Sequence, residues 1–66
     1  MKVDTFYKHF SKELSSRLVV ADKLYNVLFQ AWFEDGELRY YGSYPDVKDL
    51  DVYSLLWGDR IWLTVK

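Results

Sequence analysis

Sixty-six residues with a formal net charge of −1 make one small domain, in which a single core is only marginally stable without some further support. The chain has no cysteine and one histidine, His9, which excludes disulfides and makes a closed structural zinc site implausible. Three Trp, six Tyr and four Phe are more rings than so small an interior hides, so some are expected on the surface or in a homodimer interface.

The first segment reads as a helix over residues 1–20. Phe6, Phe10, Leu14 and Leu18 recur every fourth residue, Tyr7 extends their side, Asp4 can cap the start, and Ser15-Ser16 weakens the end. Such a helix either covers one face of a sheet or serves as an amphipathic arm for a partner. No apolar signal-peptide core is present, because Asp4, Lys8, Lys12 and Glu13 interrupt it. The longest uncharged stretch, Leu24 to Phe33, is too short to span a bilayer. With the absent cysteines, this sets the cytoplasm as the expected compartment, with no membrane partner.

Residues 24–66 read as a ββαβ core. Leu24 to Glu34 is a strand with Tyr25, Val27, Phe29, Ala31 and Phe33 on one face. Asp35-Gly36 is a favoured two-residue hairpin turn, and it predicts the pairs Phe33–Leu38, Ala31–Tyr40, Phe29–Gly42 and Val27–Tyr44. The other face carries Leu28, Gln30 and Trp32 beside Arg39, Tyr41 and Ser43, and is expected to be covered by the N-terminal helix or a second subunit. Pro45 ends the second strand. Asp46 is read as an N-cap with Asp49 three residues on, opening a helix to Trp57 that Gly58 terminates. Arg60 to Lys66 alternates Ile61, Leu63 and Val65 against Arg60, Trp62 and Thr64, a strand. The expected fold is α+β, α-β-β-α-β, with a three-stranded antiparallel sheet in the order 2-1-3, since placing the third strand beside the first makes every neighbour antiparallel.

Chemistry is not expected. There is no cysteine, no phosphate loop and no HExxH-like pair, and the sequence places no second catalytic residue beside His9. Glu34 and Glu37 face each other across the hairpin turn, where water screens both. No cofactor and no metal is implied, and the chain reads as a non-enzyme. Its charge is uneven: residues 34–59 carry seven acids against Arg39 and Lys48. Phosphate binding wants the opposite balance, so nucleic acid is not the expected partner, although Tyr and Trp on a sheet can stack single-stranded bases. Tyr53 and Trp57 share a stripe on the expected second helix, with Val52, Leu55 and Leu56 on another side. Either both sides are buried, or one meets a partner or a second copy.

This order of motifs resembles the small uracil-DNA glycosylase inhibitors of Bacillus podophages, short acidic dimers that mimic DNA. The shared features are the apolar strand, Asp35-Gly36, Tyr40-Tyr41, the Leu50-to-Trp57 helix ending in Gly58, and the strand Ile61-Trp62-Leu63, covering residues 24–66. The resemblance implies a homodimer in the host cytoplasm that occupies the DNA groove of uracil-DNA glycosylase. Tyr53 and Trp57, with Leu56 beside them, would form a pocket for the enzyme's apolar minor-groove finger. Tyr40 and the acids Glu37, Asp49 and Asp51 would complete the partner surface. A family glutamate expected after the paired tyrosines is Gly42 here, and the N-terminal helix is an addition. Alternatives are an inhibitor of another nucleic-acid enzyme and an aromatic single-strand binder.

Overall fold

The computed structural model describes residues 1–10 and 17–66, Phe10 by its backbone alone. In chain order the elements are α1 (Val3–Phe10), β1 (Arg17–Ala21), β2 (Val27–Glu34), β3 (Glu37–Tyr41), α2 (Tyr44–Val47), β4 (Val52–Trp57) and β5 (Arg60–Val65). The strands form one mixed sheet in the order β3-β2-β1-β5-β4, parallel between β1 and β5 and antiparallel elsewhere. The α+β class is as expected. The three-stranded antiparallel sheet in the order 2-1-3 is corrected, because β1 separates β2 from β5 and β4 adds a further edge.

β1 explains the correction. Leu18-Val19-Val20-Ala21 is a continuous apolar run, buried along its whole length, as suits a strand flanked by neighbours on both sides. The helix expected over residues 1–20 therefore ends, among the described residues, at Phe10, and Leu18 belongs to a strand. Leu14, which linked the two in a four-residue rhythm, lies outside the described residues.

The hairpin follows its turn chemistry. Asp35 at φ 53° and Gly36 at φ 78° are both left-handed, which matches the right-handed twist of the flanking strands. Phe33 pairs with Leu38 and Ala31 with Tyr40, as the turn dictates. The ladder stops at Tyr41, so the Phe29–Gly42 and Val27–Tyr44 pairs do not form. The chain leaves through Gly42 at φ 88°, and a Cβ there would lie 2.4 Å from the Leu28 carbonyl oxygen. β2 starts at Val27, because Tyr25 sits at φ 65° in the preceding turn.

The second large correction concerns residues 50–57. α2 spans only Tyr44–Val47, with Ser43 at its N-cap position and Pro45 in its first turn; Asp46 lies inside it. Val52–Trp57 is the edge strand β4, paired through Gly58 and Asp59 with β5. Its β-branched and aromatic residues suit a strand, and an apolar run this short does not separate strand from helix by periodicity alone. Gly58-Asp59 makes the hairpin turn rather than a helix cap.

The core lies on one face. Leu18 and Val20 of β1, Phe29 and Ala31 of β2, and Ile61, Leu63 and Val65 of β5 pack beneath Val3 and Phe6 of α1 and Val47 of α2. The α1 helix is tied down at its start, where Val3 N donates to Leu50 O and Asp4 N to Lys48 O. Among the described residues no helix is long and apolar enough to cross a membrane.

Candidate functional site

The two faces of the sheet differ in what covers them. One carries the core and both helices. On the other neither described helix packs, the β1–β2 loop brings Tyr25 to 6.4 Å from Trp62 at one end, and register places its side chains in rows. Tyr41, Gln30, Val19, Trp62 and Leu56 follow one another across all five strands. A second row runs through Arg39 and Trp32 toward Arg17 and Arg60. Val19 is buried, but Tyr41 and Leu56 are exposed, at 60% and 67%.

Alternation along the strands produces this face. The side chains of Ala31, Ile61 and Leu63 turn to the core, so Gln30, Trp32, Arg60 and Trp62 turn away from it. Contacts then fix some of the tips. The Arg17 guanidinium lies 4.7 Å from the Trp32 ring centroid, a cation–π stack, and donates to Gln30 Oε1 at 3.2 Å. Trp32 Nε1 donates to Glu34 Oε2 at 3.3 Å. Arg39 pairs with Glu37 at 3.2 Å.

The expected partner residues do not converge. Trp57 pairs with Ile61 on the core face and meets Phe6 edge-on, ring centroids 6.0 Å apart. Leu56 pairs with Trp62 on the open face. Tyr53 also reaches the open face, because a register shift between Val52 and Ser54 turns it to the side of Ser54, Thr64 and Lys23. The pocket expected from a shared Tyr53/Trp57 helix stripe is thus not formed within one chain. Of the acids, Glu37 pairs with Arg39, Asp49 with Lys48 at 3.7 Å, and Asp51 with Lys2 at 3.1 Å. The Lys2 ammonium, hydrogen-bonded to Asp51, holds that carboxyl below the usual carboxylate range.

Tyr40 lies on the core face, stacked near Phe29 with centroids 6.4 Å apart. It lines an apolar hollow of about 170 Å³ with Tyr7, Phe29, Ala31, Leu38 and Tyr44. The Tyr44 hydroxyl, at the hollow's wall, donates to Asp4 at 2.8 Å. Burial, and then that bond, push the Tyr44 phenol above its ordinary value.

Sequence reasoning missed Trp62, Arg17 and Arg60 as members of one surface. Trp62 was legible as the outward member of the Ile61/Leu63/Val65 alternation. Arg17 required knowing that β1 is a strand at the centre of the sheet. Among the described residues no group of three or more His, Asp or Glu side chains is placed to hold a metal. No protein-family model matches the chain, and no curated protein or solved structure is significantly similar to it. The resemblance to glycosylase inhibitors therefore rests on the order of short sequence motifs alone, and the helix counted among them is the strand β4.

Proposed function

We propose that the protein works by binding rather than by chemistry, and that its open sheet face is a platform for single-stranded nucleic acid. The observation that carries this reading is the shared location of Trp32, Tyr41 and Trp62 with Arg17, Arg39 and Arg60. Along the chain the rings are interleaved with acids, which argues against nucleic acid. In the fold most acids go to turns, loops and strand ends, and the rings share their face with guanidinium groups as well as with Glu34 and Glu37 at its hairpin end. Bases stack on such rings with little regard to sequence, and arginines track the backbone. The nearby carboxylates are engaged: Glu37 by Arg39 and Glu34 by Trp32.

A second reading, inhibition of uracil-DNA glycosylase by DNA mimicry, keeps support from a different place. The apolar hollow beside Tyr40 has room for one apolar side chain, and Glu34, Asp35 and Glu37 cluster at the nearby hairpin tip. In this reading the trap for the enzyme's finger is that hollow, not a Tyr53/Trp57 pair. Self-association, under either reading, has its natural seat on β4. From Tyr53 through Trp57 this exposed edge carries no charge, whereas edge strands are ordinarily protected by charged residues or proline.

A titration of a labelled single-stranded oligonucleotide separates the readings. The platform predicts binding whose log K falls with log salt at a slope of about −1.4, for two phosphate contacts on a single strand from Arg17 and Arg60, since Arg39 is paired with Glu37. Absence of oligonucleotide binding, together with suppression of uracil excision at equimolar protein, would reverse the order of the two readings.

A further inference from the structure

At the end of the open face where β1 finishes, Lys23, Tyr25, Tyr53, Ser54 and Thr64 line a cleft of about 290 Å³. Two Tyr residues, a Lys and two hydroxyl residues line it, unlike the apolar hollow on the other face. Tyr25 is held in it at a backbone cost. A bulky residue at φ 65° is a conformational outlier for an L side chain, yet the loop enforces it. Asp22 Oδ1 accepts from Leu24 N at 2.8 Å and Asn26 N at 3.0 Å, and Asp22 Oδ2 accepts from Asn26 Nδ2 at 3.0 Å. The Asp22 main-chain carbonyl accepts from Tyr25 N and its N–H donates to Asn26 O. The strained turn presents a Tyr ring that is 76% exposed, 6.4 Å from the Trp62 ring.

The cleft's cation is placed as firmly. The Lys23 ammonium lies 4.5 Å from the Tyr53 ring centroid, and Ser54 and Thr64 line the same cleft. The neighbouring carboxylate, Asp22, is turned into its own loop by three donors, which leaves Lys23 as the charged residue lining the cleft among the described residues.

We propose that this cleft is a subsite for a nucleotide, a planar ring stacked on Tyr25 with its phosphate on the Lys23 ammonium and the Ser54 and Thr64 hydroxyls. The proposal rests on the single-strand reading of the open face and gives it an end: a strand lying over Trp32 and Trp62 finishes with a phosphorylated nucleotide in the cleft. The same ring-and-phosphate chemistry is offered by a free nucleoside monophosphate.

The test compares oligonucleotides of one sequence bearing a terminal phosphate or a terminal hydroxyl, with a nucleoside monophosphate as a third ligand. The variants are Lys23→Gln, which removes the charge, and Tyr25→Gly, which removes the ring while relieving the backbone, so both remain folded. The expected result is about tenfold tighter binding of the phosphorylated strand, one charge-assisted contact, with the preference lost in both variants. Equal binding of both strands, unchanged in Lys23→Gln, overturns the subsite and leaves the platform standing. A monophosphate that shifts the Tyr25 and Tyr53 resonances while neither strand binds supports the subsite and overturns the platform. No response to any of the three ligands overturns both.

Discussion

Gly42 and Gly36 both have positive φ, but they answer to different constraints. Gly36 has open space where a Cβ would go, and Gly42 has the Leu28 carbonyl there. Gly36→Ala should cost about 1 kcal/mol, the left-handed penalty alone. Gly42→Ala should cost roughly 2–3 kcal/mol, since backbone must also give way. Urea melts of the two variants check the difference, and equal losses would contradict the close approach. Tyr44 provides a pH signature. Its raised phenol pKa means that the folded state keeps the proton longer than the unfolded chain. This contribution is complete below the ordinary phenol value of about 10 and is lost as pH rises above it. Stability measured from pH 9 upward should fall more steeply in the wild type than in Tyr44→Phe; parallel curves would remove Tyr44 as the cause.

Elements show where sequence is sufficient and where it fails. The β2–β3 hairpin was legible because its turn residues and its alternating apolar positions independently demand the same register. The alternation in β5 was legible for the second reason alone. β1 and β4 were misread because each is a short apolar run whose four-residue spacings, Leu14 to Leu18 and Tyr53 to Trp57, imitate a helix. Tertiary pairing decides such segments, and Gly58-Asp59, acceptable as a hairpin turn, was the available local signal for β4. The consequence for the site is specific: one helical stripe became two faces. Trp57→Ala should therefore cost roughly 1–2 kcal/mol, through lost packing of a half-exposed ring on Phe6. Tyr53→Ala should stay within about 0.5 kcal/mol of the wild type. A common stability loss in both variants would restore the shared stripe. The uncharged β4 edge also predicts sedimentation as a dimer at micromolar concentration, and Leu55→Lys should return the protein to a monomer. A wild type that sediments as a monomer contradicts self-association through β4.

At the scale of the whole molecule, one sheet separates two environments. The core face holds both helices and is sealed at its centre by Val3 and Phe6, with Trp57 and Tyr40 toward opposite edges. The other face brings together rings and arginines scattered from Arg17 to Trp62 along the chain. Their assembly depends on β1 lying between β2 and β5, so no local motif announces it. The three tryptophans make this division measurable, because Trp32 and Trp62 lie on the open face and Trp57 on the core face. The decisive measurement is the movement of the three indole N–H resonances as a single-stranded oligonucleotide is added. The platform account predicts that the Trp32 and Trp62 signals shift with saturation while the Trp57 signal stays in place. Movement of Trp57 with Trp32 and Trp62 unmoved, or no movement of any indole signal, would contradict it.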